Sequence, residues 1–373
     1  MSRERIIYLS AKDPRSRKSW SGIPYFMFQS LQEHYDIEYV PGPKLQTESR
    51  LLYYVSRALT FLSGRKFTFD YGRITAWLFA RHYSRALKKV RNVKFIFVPA
   101  GLTEISELRT DIPLVAVGDC SMLQLFDYYP ATANISSLCK RDVERVERNA
   151  LVRCAKIIFS SDWASDFCRQ HYKVTCDTVP FGANIEISEV PARRSLGPGC
   201  RLLVVGVDWV RKGGETAVEI HRELIRKSID STLTIVGMKP PNGVDAYADV
   251  QFTYINKDSE QGVREYIELL RNADFLLLPT VADCTPIVIA EAFAAGLPVL
   301  ATRTGGVASM IEEGVTGFLF EPKDSSSYAV RIMQLISEPA AYAEMSDNCR
   351  SASIEVFNWT RWASEIKKLC APL

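Results

Sequence analysis

Short, uninterrupted apolar runs, each followed by a helix-length amphipathic segment, recur along the whole chain. In the first half they are RIIYLS (5–10), IEYV (37–40), KFIFVP (94–99), PLVAVG (113–118) and KIIFSS (156–161). In the second they are RLLVVG (201–206), LTIVG (233–237), VQFTYI (250–255), DFLLLP (274–279), PVLAT (298–302) and GFLF (317–320). Runs that are apolar throughout, rather than alternating with polar residues, predict strands covered on both faces, as in a parallel sheet sandwiched by helices. Two doubly wound α/β domains follow. Between the two sets, residues 180–200 carry three prolines, three glycines and little apolar periodicity, which predicts an interdomain connection. In such sheets ligands bind beyond the carboxyl ends of the strands, so the turns after each run are where chemistry is expected.

Composition narrows the class. The 373 residues exceed one ordinary core and suit two domains, and 47% hydrophobic with 24% charged residues matches a globular chain folded in water. No stretch reaches the roughly 18 apolar residues of a spanning helix, and the amino-terminal residues do not form a secretory signal. The nine cysteines show no C-x-x-C spacing, which predicts buried thiols in a reducing, cytoplasmic setting. The four histidines, His34, His82, His171 and His221, lie in or beside helical segments, so histidine-based metal or triad chemistry is disfavoured. The net charge of +3 hides a split: residues 1–190 hold 27 Lys+Arg against 20 Asp+Glu, and residues 191–373 hold 19 against 23.

Two turns stand out. In VGVDWVRKGGETAVEI (205–220), the run ends at Gly206, Arg211 and Lys212 follow, and Gly213-Gly214 open a helix. Free N–H groups at that helix start, beside two cations, outline a phosphate site; a solvated Arg-Lys pair before a glycine turn is the alternative. In LLLPTVADCTPIVIAEAFAAGLPVLATRTGGVASMIEEGVTGFLF (276–320), Thr285 as N-cap and Pro286 at the first helical position predict a helix reaching about Ala295. Glu291 then lies within IVIAEAFAA, where a carboxylate requires a ligand or an ion pair, and a diol would satisfy both oxygens. Asp283 precedes that helix, as a substrate contact or a capping acceptor, and Thr304-Gly305-Gly306 form a further strand-to-helix turn. Neither a Walker sequence nor a G-x-G-x-x-G fingerprint is present.

An acid, seven residues and Glu291, then A-x-x-x-G-x-P-V-x-A-T and Gly305-Gly306, resemble the donor-binding segment of family-four retaining glycosyltransferases of the GT-B fold. Lys212-Gly213 is similar to that family's diphosphate element, VPFGANI (179–185) to its crossover, and FNWTRWASEIKKL (357–369) to its terminal helix. The resemblance implies two Rossmann-like domains facing across a cleft. An acceptor-side domain would span residues 1–181 with the helix 356–373 packing back on it, and a donor-binding domain residues 182–355. It also implies that Glu291 holds ribose hydroxyls and Asp283 the transferred sugar, while Lys212 and Arg211 neutralise the diphosphate. Backbone at Cys284, Thr285, Pro286 and Ile287, with Gly305 and Gly306, would line the donor, and Ser21-Gly22 would face its phosphate. Asp119 stands where many relatives have a catalytic histidine.

Three departures accompany the likeness. Val207 replaces an arginine common after the strand-closing glycine, Asp283 replaces a glutamate, and Cys284-Thr285-Pro286 replaces a glycine-rich turn. The implied function is a retaining transferase that moves sugar from a nucleoside diphosphate to a hydroxyl of a glycan, lipid-linked or small-molecule acceptor, in cell-surface polysaccharide or glycolipid synthesis. The nucleotide-sugar is a co-substrate, and no cofactor is expected. With no D-x-D sequence, no metal is expected either. An epimerase or phosphorylase on the same fold, and a catalytically silent nucleotide-sugar-binding or scaffold protein, are open alternatives.

Residues 50–92 carry ten Lys+Arg against the single acid Asp70, interleaved with nine aromatics besides histidine. Three readings fit this segment. It is two amphipathic helices whose aromatics join the core, a nucleic-acid patch without a recognition motif, or a surface for an anionic membrane or acceptor at the inner face of a membrane.

Overall fold

The computed structural model describes residues 3–185, 196–197, 199–241 and 243–373. The connection expected over 180–200 lies, at 186–195 and 198, outside the described residues. The chain divides into two compact units, one made of residues 1–180 with 362–373 and the other of residues 181–361. Among the described residues each unit is built on one six-stranded sheet, and every strand pairing within the two sheets is parallel.

In the first unit the strands are β1 (Glu4–Ser10), β2 (Tyr35–Pro41), β3 (Ile96–Pro99), β4 (Leu114–Gly118), β5 (Lys156–Phe159) and β6 (Asp177–Thr178), in the order β2-β1-β3-β4-β5-β6. In the second they are β7 (Cys200–Val205), β8 (Ser231–Val236), β9 (Gln251–Thr253), β10 (Phe275–Leu278), β11 (Val299–Thr302) and β12 (Gly317–Phe320), in the order β12-β11-β10-β7-β8-β9. Parallel neighbours require crossovers, and the apolar runs supply strands fit to be covered on both sides. Ile6 to Leu9, Phe95 to Val98, Phe275 to Leu278 and Val299 to Ala301 are all fully buried. Each such Leu or Phe stabilises the fold by about 1.5–3 kcal/mol relative to exposure. The short pair β6 was not marked by any apolar run, because only two residues of a polar stretch join the edge.

The strand order fixes where a ligand can enter. In each sheet, successive strands are added in one direction and then in the other, so two adjacent strands send their following loops to opposite faces and a crevice opens between them. That reversal falls between β1 and β3 in the first unit, and between β7 and β10 in the second.

The chain's last helix, Trp359–Leu369, carries Trp362 fully buried, edge-on to Phe97 of β3 at 6.1 Å between ring centres. Within the second unit, the entering and leaving segments touch. Phe181 stacks on Trp359 at 5.8 Å, and Gly182 lies so close to the Trp359 backbone that an added Cβ would fall 2.4 Å from its nitrogen.

Candidate functional site

After β7 the chain turns back through 206–213 into the helix Gly214–Arg226. Gly213 has φ +70°, and a Cβ there would lie 1.9 Å from the Pro279 carbonyl oxygen, so only glycine lets this turn approach the end of β10. Hydrogen bonds fasten the two turns together: the Thr280 hydroxyl and the Val281 N–H both donate to the Arg211 carbonyl at 2.8 Å. The turn after β11 joins them, with the Gly306 N–H donating to the Asp283 carbonyl at 3.2 Å and the Thr304 hydroxyl to the Val281 carbonyl at 3.2 Å. Three strand-end turns therefore form one bonded platform beside the β7/β10 reversal.

Lys212, Arg211 and Asp283 meet on that platform. Lys212 Nζ donates to Asp283 Oδ2 at 2.6 Å, and Arg211 Nη1 reaches the same oxygen at 3.2 Å and the Ala282 carbonyl at 3.2 Å. The Lys212 side chain runs over Gly206, where an added Cβ would sit 2.7 Å from Lys212 Cγ. Lys212 is thus buried, at 8% exposure, rather than displayed on a solvated loop. Both cations meet at Asp283, and Arg211 also lies 4.0 Å from the half-exposed Asp208, so donors suited to an anionic group are held in place beside carboxylates that balance their charge. Val207, where an arginine would be usual, is 81% exposed, and Arg211 is the guanidinium that reaches Asp283.

The helix after Asp283 spans Ile287–Ala294, and its N-cap residue is Pro286 with φ −69° and ψ 105°. Thr285 as N-cap with Pro286 inside the helix is therefore corrected. Pro286 itself has ψ 105°, outside the helical range, so it is not the first helical residue and the helix starts one position later. The Asp283 carboxylate is held by Lys212 and Arg211. Cys284, Thr285 and Ile287 are buried on this approach. Gly305, with φ +51°, and Gly306 open a short 3-10 turn, Gly305–Ser309.

Glu291 projects from that helix at 1% exposure. Its two oxygens are already engaged: Lys257 Nζ donates to Oε1 at 2.7 Å and the Tyr266 hydroxyl to Oε2 at 2.6 Å. Lys257, just past β9, also lies 4.1 Å from the centre of the Tyr266 ring, and burial beside Glu291 pushes the Tyr266 phenol well above its ordinary range. The ion pair expected for so buried a carboxylate is present. Lys257 and Tyr266 were missed because nothing in their local sequence sets them apart.

In the first unit, Trp20, Ser21 and Gly22 follow one another with φ of 46°, 55° and 83°. This left-handed turn swings the Trp20 indole so that Nε1 donates to Asp119 Oδ2 at 3.1 Å. Asp119, just past β4, and Trp20 line a cavity of about 430 Å³ at the carboxyl ends of β1, β3 and β4, with Lys12 and Glu104 also on its wall. Glu104 accepts from the Tyr83 hydroxyl at 2.6 Å and the Ala11 N–H at 3.1 Å, and burial pushes its carboxyl from 4.5 up to about 7. Sequence reasoning did not single out Glu104, whose partners come from a helix and from the end of β1.

None of the histidines belongs to either cluster; His221, for example, is buried between the Ser231 hydroxyl at 3.0 Å and the Asp249 carbonyl at 3.1 Å.

A family model described as Glycosyl transferases group 1 matches residues 199–338, which contain the whole platform. The chain is 30% identical over 102 residues to N-acetyl-alpha-D-glucosaminyl L-malate synthase of Bacillus anthracis, covering 27% of each protein. The curated relatives compared with it are matched over 11% to 53% of their own length. Among solved structures, sucrose-phosphate synthase from Thermosynechococcus elongatus superposes with a TM-score of 0.70 at 16% identity, over 99% of both chains. Anabaena Alr3699/HepE in complex with UDP superposes with a TM-score of 0.60 at 15% identity, over 99% of this chain and 100% of that one. Residues 199–338 are thus similar to the group 1 glycosyl transferases, and the two doubly wound sheets show the fold of these solved structures, the GT-B fold.

Proposed function

We propose that this protein transfers a glycosyl group, with retention, from a nucleoside-diphosphate sugar to an acceptor hydroxyl. The observation that carries the reading is the buried Lys212, fixed by Asp283 and flanked by Arg211 at the β7/β10 reversal. The charge on a diphosphate grows as its bond to the anomeric carbon breaks. Cations already held in place therefore stabilise the transition state more than the ground state. Glu291 serves the ribose hydroxyls, Asp283 the transferred sugar, and Gly305-Gly306 let backbone come close to the donor. The bond from the anomeric carbon to the phosphate oxygen breaks as the acceptor oxygen bonds to that carbon from the same face. The acceptor's proton passes to the departing phosphate oxygen, so neither a protein nucleophile nor a metal is required. Asp119 orients the acceptor, and Ser21-Gly22 supply a turn where backbone can meet phosphate.

The acceptor is a glycan or a lipid-linked sugar of a cell-surface polymer, and the enzyme works in the cytoplasm. The similar HepE structure is a complex with UDP, a nucleoside diphosphate, which supports the same class of donor here. A panel of nucleotide-sugars in a thermal-shift assay tests the proposal, because a ligand bound to the folded state raises the melting temperature by mass action. One or a few members raising it, together with slow donor hydrolysis that persists in a chelator, is the expected result. Binding with neither hydrolysis nor transfer to any acceptor would identify a silent binding protein instead.

A further inference from the structure

The helix Gln46–Ser63 carries apolar side chains on its outward face as well as on its inward one. Toward its own unit it sends the partly buried Leu52 and Leu59 together with Ser56 and Thr60: the Ser56 hydroxyl donates to the Phe67 carbonyl at 2.5 Å, and Thr60 Oγ1 accepts from the Phe67 N–H at 3.0 Å. Toward solvent it sends Leu51, Tyr54, Phe61 and Leu62, which are 66%, 62%, 89% and 79% exposed. Positions 51, 54, 58 and 61 recur at helical spacing, so these side chains make one stripe rather than scattered exceptions. The reading in which the aromatics of 50–92 all join the core is thereby corrected: Tyr83 is buried, but Tyr53, Tyr54, Phe61 and Trp77 are exposed. The stripe is fringed by exposed cations, Arg50, Arg57, Arg65 and Lys66. The next helix, Arg73–Leu87, repeats the pattern, with exposed Ile74 and Trp77 followed by Arg81, Arg85 and then Lys88 at helical spacing. The Arg81 guanidinium lies 5.6 Å from the Trp77 ring centre, and Arg73 is paired with Asp142 at 2.9 Å.

We propose that Gln46–Ser63 lies in the interface of an anionic lipid bilayer, with Phe61 and Leu62 entering the acyl boundary and the surrounding Lys and Arg side chains contacting lipid phosphates. Charge complementarity selects this occupant: across 50–92 ten basic residues face one acid, so the segment attracts an anionic surface, while two copies of it repel one another. An apolar stripe with cationic borders is also the composition of an interfacial helix, and no helix among the described residues is long and apolar enough to cross a membrane. Donor chemistry plays no part in the proposal, which is read without any nucleotide.

Sedimentation of the full chain with vesicles tests it. With phosphatidylcholine containing about a third phosphatidylglycerol, the protein pellets at low salt, and with phosphatidylcholine alone it stays in the supernatant. Salt near about half-molar weakens the anionic binding by screening. Phe61→Ser with Leu62→Ser, and separately Arg57→Gln with Arg65→Gln and Lys66→Gln, each lower the bound fraction roughly tenfold. Because these side chains are exposed, both variants keep the wild-type melting temperature. The proposal is overturned if wild type stays in the supernatant with anionic vesicles at low salt, or if the Phe61/Leu62 variant pellets like wild type. It is equally overturned if vesicles are ignored while sizing shows an oligomer that the same substitutions dissociate, since the stripe would then be a contact between copies.

Discussion

The two sheets reverse their strand order in the same manner, yet their carboxyl ends are furnished differently. At the β7/β10 reversal of the second unit the turns are short, bonded to one another, and filled by ionised side chains already in contact: Lys212 with Asp283, and Lys257 with Glu291. At the β1/β3 reversal of the first unit there is instead a cavity of about 430 Å³ with carboxylates on its wall and the Trp20 indole across it. A pre-paired ionic platform suits a ligand whose charge pattern is constant, whereas an open cavity suits one whose shape varies. The contrast teaches that electrostatics in the second unit are set in advance of binding, whereas those of the first unit leave room for a ligand to complete them.

Removing Lys212 is the severest way to break this contrast. Lys212→Ala is expected to lower transfer at least about a hundredfold, because a charge-assisted contact to the departing phosphate is worth about 2.7 kcal/mol or more. It also strips Asp283 of its shorter contact, and breaking a buried pair destabilises by about 3 kcal/mol. Thermal melting should therefore fall along with turnover, and Asp283→Asn combined with Lys212→Ala should recover part of the melting loss but none of the activity.

Glu291→Gln keeps the size of the side chain and is expected to lower turnover about a hundredfold, with a smaller loss of melting temperature than Lys212→Ala. Tyr266→Phe removes one donor to the same carboxylate and should lower donor affinity by roughly tenfold, the size of one hydrogen bond to a charged group. Equal affinity in Tyr266→Phe and wild type would show that the ligand takes over the Tyr266 contact at no loss.

In the first unit, Asp119→Asn is expected to lower turnover more than donor affinity, with little change in melting, because the Trp20 indole can still donate to the amide oxygen. Equal losses of affinity and turnover would assign Asp119 a structural role.

The smallest effect is a pH dependence. Glu104 holds its proton up to about pH 7 in the folded chain, while its ordinary value is 4.5. Between those values the native state binds more protons than the unfolded state, so stability falls as pH rises through this window and levels off above it. Glu104→Gln stays neutral, still accepts from Tyr83, and should flatten that slope in melting curves taken from pH 5 to 8.

Much of the frame was legible in the sequence because continuous apolar runs have few alternatives once glycine and proline bound them. The acids and cations of the second unit were also legible one by one, because a carboxylate inside IVIAEAFAA or a lysine before Gly213-Gly214 conflicts with its surroundings. Their pairing was not. Lys212 and Asp283 are 71 positions apart, and Glu291 finds Lys257 and Tyr266 at separations of 34 and 25. Only the folding of the strand-end turns onto one another brings Lys212 to Asp283, and only the packing of two helices and the chain after β9 brings Tyr266 and Lys257 to Glu291; no periodicity records either. Glu104 was silent for a related reason: its neighbours Tyr83 and Ala11 come from a helix and from the end of β1, and each is ordinary where it stands. The helix 46–63 shows the opposite failure, where helical spacing was plain but a second apolar stripe, with Leu51, Tyr54, Phe61 and Leu62, stays exposed.

The central claim is that the second unit's paired charges bind the donor and the first unit's cavity does not. Calorimetric titration of the stabilising nucleotide-sugar into wild type, Lys212→Ala and Asp119→Asn tests it most directly. The account predicts donor affinity near wild type for Asp119→Asn and weakened about a hundredfold or beyond detection for Lys212→Ala. Undiminished affinity in a folded Lys212→Ala protein would contradict it.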